Sequence, residues 1–210
     1  MEIFDLSEEQ ELALKHIISS FHKKINPICA LGMGMGKTRV ACEIIKKFSE
    51  FLKNEKVKIL IIIKASNYSD PWESELIKDQ SLPNIIFLHS KERFNYISNG
   101  KYFFHDSNII LTSYETLRLD ILNGYYELSE YFDLVIYDEL HTIVNSKRLS
   151  KRIIAISSLK ARYKLALTGT PFQNFYGEIG LINIFLNDLT SFTELVRLSA
   201  RIKKDKKLKE

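Results

Sequence analysis

Short aliphatic runs recur along this chain of 210 residues, and each is followed by a stretch with the spacing of an amphipathic helix. Runs that are apolar at every position are typical of strands buried on both faces. When such strands alternate with helices, each helix carries the chain back to begin the next parallel strand. We therefore predict an α/β fold in which a mostly parallel central sheet has helices on both faces.

The strands are predicted over residues 27–31, 57–63, 84–89, 108–112, 134–137 and 163–167. Helices are predicted over residues 7–21, 38–52, 72–78, 115–122, 149–159 and 176–186. No internal repeat and no Pro-, Gly- or Ser-rich linker divides the sequence. We predict one domain over 1–190, followed over 191–210 by a basic extension or the start of a linker.

The formal net charge of +4 does not by itself indicate a nucleic-acid partner. The last ten residues contain six Lys or Arg and two acidic residues, whereas residues 1–200 contain 24 basic and 24 acidic side chains. The longest aliphatic block, Ile59 to Ile63, is far shorter than the roughly 18 residues of a membrane-spanning helix. Two cysteines are too few for a disulfide framework, and the histidines lack the spacing of zinc ligands. We expect an intracellular protein without a membrane or zinc partner.

A glycine-rich loop lies between the first predicted strand and the helix over 38–52. Glycines at alternate positions let the backbone turn so that its N–H groups and the helix N-terminus face a phosphate. Lys37 would then reach the outer phosphates, and the Thr38 hydroxyl would bind Mg²⁺. The predicted ATP-binding residues in this loop are Gly34, Met35, Gly36, Lys37, Thr38 and Arg39.

Two adjacent carboxylates, Asp138 and Glu139, end the strand predicted over 134–137. A nucleotide hydrolase needs one carboxylate beside the metal and one beside the attacking water. We assign Asp138 to Mg²⁺ and Glu139 to the water, with Lys37 and His141 as the other catalytic residues. Taken without the glycine-rich loop, such a pair is as often a solvated turn.

Hydroxyl residues follow the last predicted strand, where Thr168 and Thr170 surround a glycine and precede a proline. This turn could bring both hydroxyls towards the carboxylates and the phosphates. Together with His141, it is a candidate relay between nucleotide state and movement. The predicted coupling residues are Thr168, Gly169, Thr170 and Gln173.

The order of these motifs resembles the first RecA-like lobe of superfamily 2 helicases and translocases, and most closely that of the Swi/Snf-type ATPases. Residues 138–141 match the DExH motif, and residues 167–174 match the segment LTGTPxQN. Leu6 to Gln10 is similar to the LxxxQ segment, and residues 112–116 are similar to the TSYE segment. Trp72 and Glu75 match WxxE, although a lone Trp on a helix is more often a packing residue.

The resemblance implies a single RecA-like P-loop domain that uses ATP and Mg²⁺. It implies that Gln10 reads adenine, and that duplex DNA is bound through its backbone. Hydrolysis in this family occurs between two lobes, so we expect these 210 residues alone to bind ATP weakly and hydrolyse it poorly. The predicted nucleic-acid-binding residues are Lys64, Thr112, Ser113 and Tyr114.

Some positions depart from the family pattern. Lys64 stands where a proline normally follows the second strand, and Thr142 and Val144 replace the usual Arg and Lys. On these departures and a composition rich in Ile, Lys and Asn, we expect a bacterial, phage or viral protein that is cytoplasmic rather than nuclear. Two alternative functions stay open, namely a different P-loop ATPase and a non-catalytic, nucleotide-dependent module that binds DNA or protein.

Overall fold

A computed structural model describes residues 6–52, 57–78, 82, 85–99, 101–102, 109–125, 131–144, 151–169, 182–183 and 185–187. The strands are β1 (Ile28–Cys29), β2 (Ile59–Ile63), β3 (Ile85–Leu88), β4 (Ile97–Ser98), β5 (Lys101–Tyr102), β6 (Ile109–Ser113), β7 (Tyr131–Asp138) and β8 (Lys160–Leu167). The α-helices are α1 (Glu8–His22), α2 (Lys37–Leu52), α3 (Ser74–Lys78), α4 (Tyr114–Leu122), α5 (His141–Val144) and α6 (Lys151–Ser157).

Six strands form one sheet in the order β1-β8-β7-β2-β6-β3. Every neighbouring pair in this sheet is parallel. The six strands overlap the six predicted runs, so the predicted α/β fold with a parallel central sheet is confirmed. A short antiparallel pair of β4 and β5 lies outside this sheet and was not predicted.

The two faces of the sheet support two separate hydrophobic cores. In β2, the side chains of Ile59, Ile61 and Ile63 pack with α1, α2 and α3. The intervening Leu60 and Ile62 pack on the opposite face with α4, α5 and α6. All five residues are fully buried, and burial of each such side chain contributes about 1.5–3 kcal/mol. The uninterrupted aliphatic sequence is therefore explained by burial on both faces, which confirms the prediction of helices on both sides.

The connection after β2 differs from the predicted helix over 72–78. It begins as a 3-10 turn over Ala65–Asn67 and continues as a wide turn over Tyr68–Glu73 before α3 begins. Pro71 has no N–H to donate, and Asp70 before it is extended. A regular helix therefore starts only at Ser74.

Two predictions fall partly or wholly outside the described residues. A helix is predicted over 176–186, and the structure describes helical backbone at 182–183 and 185–187. The extension predicted over 191–210 lies outside the described residues. Among the residues that are described, no helix is long and apolar enough to cross a membrane. The same ranges contain no group of three or more His, Cys, Asp or Glu side chains that could hold a metal ion.

Candidate active site

A cleft of about 340 Å³ opens at the carboxyl end of the sheet. Parallel strands end at the same edge, so the segments that follow β1, β2 and β7 meet there. The cleft is lined by Gly34, Gly36, Lys37, Thr38, Arg39, Asn67, Pro71, Glu75, Asp138 and Glu139. The glycine-rich loop and the two carboxylates, which are a hundred residues apart in the sequence, therefore share one site.

The glycine-rich loop has backbone angles that favour glycine. Gly34 and Gly36 have φ values of +75° and +74°, a region that side chains with a Cβ rarely adopt. The loop leads directly into α2, which begins at Lys37. The first N–H groups of a helix have no acceptor within the helix, so they are available to a phosphate. The loop geometry therefore fits the phosphate-binding role predicted for it.

Gln10 lies against this loop. Its Nε2 donates to the Met35 carbonyl at 3.0 Å, and its Oε1 accepts from the Ser7 backbone N–H at 3.0 Å. The Ser7 side chain in turn accepts from the Gln10 N–H, which completes a capping box at the start of α1. A Cβ added at Gly36 would overlap Gln10 Nε2. The side chain predicted to read adenine thus joins the N-terminus of α1 to the phosphate loop.

Lys37 forms an ion pair with Glu139 across the cleft. Its Nζ lies 3.6 Å from Glu139 Oε1 and donates to the Gly32 carbonyl at 3.3 Å. Both side chains are largely buried, with 10% and 18% exposed respectively. A Cβ added at Gly169 would lie 2.7 Å from this Nζ. A larger residue at position 169 would therefore displace the end of the Lys37 side chain from its present place.

Glu139 is held by groups from two elements. Its Oε2 accepts from the Gly169 N–H at 3.2 Å and lies 3.2 Å from His141 Nδ1. Burial alone would raise the pKa of Glu139, but the hydrogen bonds from His141 and Gly169 and the charge of Lys37 outweigh it and lower the pKa. The backbone of Glu139 has φ +48°, which is strained for a residue with a side chain. Glu139 is therefore a carboxylate held ionised in an unusual backbone conformation.

His141 connects Glu139 to the end of β8. Thr168 Oγ1 lies 2.8 Å from the same Nδ1 that faces Glu139. Because a carboxylate only accepts, the Nδ1 carries the proton in the tautomer that makes this contact. Thr168 and Gly169 thus meet the DExH residues as the sequence suggested, whereas Thr170 and Gln173 lie outside the described residues.

Asp138 is 5% exposed and accepts two hydrogen bonds on one oxygen. Trp72 Nε1 donates to its Oδ2 at 3.0 Å, and Asn67 Nδ2 donates to the same atom at 3.3 Å. Burial raises the pKa of Asp138, and the two hydrogen bonds partly offset this effect. Sequence reasoning assigned Trp72 to packing and did not identify Asn67. No local signal predicts these contacts, because Trp72 is 66 positions and Asn67 is 71 positions away from Asp138 in the sequence.

The residues predicted to contact nucleic acid are mostly buried. Thr112, Ser113 and Tyr114 are 0%, 3% and 1% exposed. Ser113 caps α4 by accepting from the Thr116 N–H at 3.1 Å. Tyr114 donates its hydroxyl to the Asp138 carbonyl at 2.9 Å. In this structure these three side chains are therefore internal supports, and Lys64, at the end of β2, is the partly exposed member of the set.

The donor set at the cleft fits a hard cation. Thr38 offers a hydroxyl and Asp138 a carboxylate, and Mg²⁺ is bound by one or two carboxylates together with phosphate oxygens. Lys37 and the N-terminus of α2 supply positive charge in the same cleft. The arrangement can hold a metal-bound polyphosphate next to an ionised carboxylate.

A family model described as "SNF2-related domain" matches residues 9–206. The solved "Sulfolobus solfataricus SWI2/SNF2 ATPase core in complex with dsDNA" aligns with a TM-score of 0.73 and 26% identity. That alignment covers 95% of this chain and 40% of the Sulfolobus chain.

Curated relatives include "ATP-dependent helicase FUN30" of Saccharomyces cerevisiae, which is 27% identical over 96% of this chain. The "ISWI chromatin-remodeling complex ATPase ISW2" of the same yeast is 28% identical over 90% of this chain. The aligned part covers 18% and 16% of those two proteins, so the chain spans less than a fifth of their length.

The expectation of a bacterial, phage or viral protein that is cytoplasmic rather than nuclear is wrong. The yeast relatives above are eukaryotic, and two relatives are named for chromatin remodelling, ISW2 and "Chromatin structure-remodeling complex protein SYD" of Arabidopsis thaliana. The departures at Lys64, Thr142 and Val144 therefore do not separate this chain from chromatin-remodelling relatives. A composition rich in Ile, Lys and Asn has no physical link to a cellular compartment.

Proposed function

The chain belongs to the SNF2-related domain family and is the first RecA-like lobe of a Swi/Snf-type ATPase, and on this premise we propose that it binds ATP with Mg²⁺ and hydrolyses ATP in response to DNA. The observation that carries the proposal is the shared cleft, in which the phosphate loop, Asp138 and Glu139 face one another. A second RecA-like lobe, in the same chain or another, would complete the site.

The phosphate loop supplies binding. Residues of this loop and of the first turn of α2 line the cleft, where their N–H groups would bind phosphate oxygens. Lys37 would reach the outer phosphates. On nucleotide binding, Lys37 would exchange Glu139 for a phosphate oxygen. Gln10, which already contacts the loop, lies where a change in loop position would alter its hydrogen bonds.

Thr38 and Asp138 would hold the metal. Bound Mg²⁺ would neutralise charge on the phosphate oxygens. Asp138 can serve because it is buried next to the cleft and is held by neutral donors, which leave its negative charge intact.

Glu139 would orient and deprotonate the attacking water. Its Oε2 is occupied by His141 and Gly169, so Oε1 is the oxygen available for the water once Lys37 moves to phosphate. The proton would pass from the water to this Oε1. His141 and Thr168 hold the carboxylate in place and connect it to β8.

DNA dependence is supported by a relative and by one residue of this chain. The Sulfolobus ATPase core, which aligns over 95% of this chain, was solved in complex with double-stranded DNA. Lys64 is partly exposed where β2 ends and could contact a phosphate of the duplex. Contacts through Thr112, Ser113 and Tyr114 would require these buried side chains to become exposed.

Phosphate release tests the proposal. The 210-residue chain should release phosphate slowly from ATP, with or without duplex DNA, because arginines from a second lobe are worth about a thousandfold or more in rate. Supplying a second lobe should produce DNA-stimulated turnover, and Lys37→Ala should abolish it. Lys46→Ala, at a partly exposed position of the same helix where Lys46 pairs with Glu43, is the matched control and should keep full activity.

Two results would contradict the proposal. If no turnover appears with a second lobe and DNA affinity is equal with and without ATP, the chain is a non-catalytic binding module. If a phosphorylated small molecule accumulates instead of free phosphate, the chain is a different P-loop enzyme.

A further inference from the structure

Asp138 is surrounded by three uncharged donors, here named the Asp138 donor set: Asn67, Trp72 and Tyr114. Two of them, Asn67 and Trp72, donate to the same carboxylate oxygen, Oδ2. Tyr114 donates to the main-chain carbonyl of the same residue. Together they fix both the side chain and the peptide group of Asp138.

The position of Trp72 is explained only in part by packing. The side chain is fully buried in the core between the sheet, α2 and α3. A phenylalanine could fill most of this space, but the indole N–H needs an acceptor when it is removed from water. That acceptor is Asp138 Oδ2 at 3.0 Å. The hydrogen bond therefore places an otherwise apolar residue in contact with the predicted metal ligand.

Asn67 is oriented by its neighbour. The Ser66 hydroxyl donates to Asn67 Oδ1 at 3.0 Å, which leaves Nδ2 directed to Asp138. Among the described residues, both donors to the carboxylate bond to Oδ2, and Oδ1 receives no hydrogen bond from them. The two oxygens of Asp138 are thus chemically distinct before any ligand binds.

We propose that Asn67 and Trp72 are positioning residues that hold Asp138 Oδ2 so that Oδ1 is presented to the Mg²⁺ of a bound nucleotide. Neutral donors suit this task because a lysine or arginine at the same place would compete with the cation for the carboxylate. Removing a donor that orients a metal-binding carboxylate typically lowers metal affinity about 10–100-fold. The inference rests on the proposed function, because it requires that Asp138 binds the metal of a nucleotide.

Tyr114 holds the peptide group that follows Asp138. Its hydroxyl fixes the carbonyl of the peptide group that joins Asp138 to Glu139, the residue with φ +48°. The hydroxyl is fully buried, and burial together with the charge of Asp138 raises the pKa of Tyr114 well above its usual value. Tyr114 therefore restrains the backbone at the start of this strained residue.

The test separates metal-dependent from metal-independent nucleotide binding. The affinity of the 210-residue chain for a fluorescent ATP analogue is measured in MgCl₂ and in EDTA, for the wild type, Asn67→Leu and Trp72→Phe. Both variants should bind the analogue as the wild type does in EDTA. In MgCl₂ each should bind about tenfold more weakly than the wild type. Asn67→Leu keeps a side chain of similar size at a partly exposed position, so it tests the idea even if Trp72→Phe fails to fold.

Tyr163→Phe is the matched control, because it removes a hydroxyl from a buried aromatic cluster with Phe21, Phe48 and Phe51. It should leave both affinities unchanged. If Asn67→Leu and Trp72→Phe keep the full enhancement by Mg²⁺, the positioning role is refuted while the proposed function stands. If the wild type shows no enhancement by Mg²⁺, both the positioning role and the assigned metal site are refuted.

Discussion

The contact between Gln10 and the phosphate loop can be measured by replacing Gly34 and Gly36 with alanine, because only Gly36 touches Gln10. Gly34 and Gly36 have φ values of +75° and +74°, so an alanine at either position carries a similar backbone strain. That strain is about 1–2 kcal/mol. It is partly offset, by about 0.4–1 kcal/mol, because alanine also restricts the unfolded chain. Gly34→Ala should therefore lower the free energy of unfolding by about 1 kcal/mol.

Gly36→Ala should cost more, because its surroundings differ. A Cβ at Gly34 has no heavy atom within 4 Å, whereas a Cβ at Gly36 would overlap Gln10 Nε2. Gln10 would have to move, losing its hydrogen bonds to Met35 and to the Ser7 N–H. Each such bond contributes about 0.5–1.5 kcal/mol. Gly36→Ala should therefore lower the free energy of unfolding by about 2–4 kcal/mol.

Urea unfolding followed by the fluorescence of the single tryptophan gives these free energies. In a Gln10→Ala background the overlap is absent, so Gly36→Ala should cost no more than Gly34→Ala does in the wild type. The double-mutant cycle should therefore show a coupling of about 1–3 kcal/mol between Gln10 and Gly36. Equal costs for the two glycine variants in the wild-type background would refute the contact.

Further predictions concern the water-activating carboxylate, a buried thiol and a buried ion pair. Glu139→Gln should retain ATP affinity in calorimetry but lose about 10²–10⁴-fold in phosphate release with a second lobe supplied. Burial raises the pKa of the Cys29 thiol, so native protein should react with iodoacetamide far more slowly than unfolded protein. Because the thiol ionises first in the unfolded chain, the free energy of unfolding should fall above about pH 8.5. Arg93→Met removes the ion pair to the fully buried Asp120 carboxylate and should cost more in urea unfolding than Lys15→Ala at an exposed pair. Lys15→Ala should cost less than about 0.5 kcal/mol.

The sheet could be predicted from sequence because burial on both faces leaves a local signature. Every position of Ile59–Ile63 is aliphatic, and the structure buries all of them. The β4–β5 pair was missed, because two strands of two residues each are too short to show a periodic pattern. The helix after β2 was placed too early, since the extended residue Asp70 before Pro71 interrupts its first turns.

The position of the candidate site could be predicted because its residues lie in short, recognisable motifs. The phosphate loop with Lys37 and the carboxylates of Asp138 and Glu139 do lie in one cleft. The support of Asp138 could not be predicted, because Trp72 and Asn67 reach it only through tertiary folding. Tyr114 was predicted to contact nucleic acid, and its burial depends on how α4 packs against the sheet and not on any local pattern.

Calorimetric titration of ATP into the 210-residue chain in MgCl₂ is the most direct test of the shared ATP site. One ATP should bind per chain. Lys37→Ala should weaken binding at least tenfold, whereas Lys46→Ala on the same helix should leave it unchanged. Absence of binding in the folded wild type, or equal affinity of the wild type and Lys37→Ala, would contradict the assignment of this cleft to ATP.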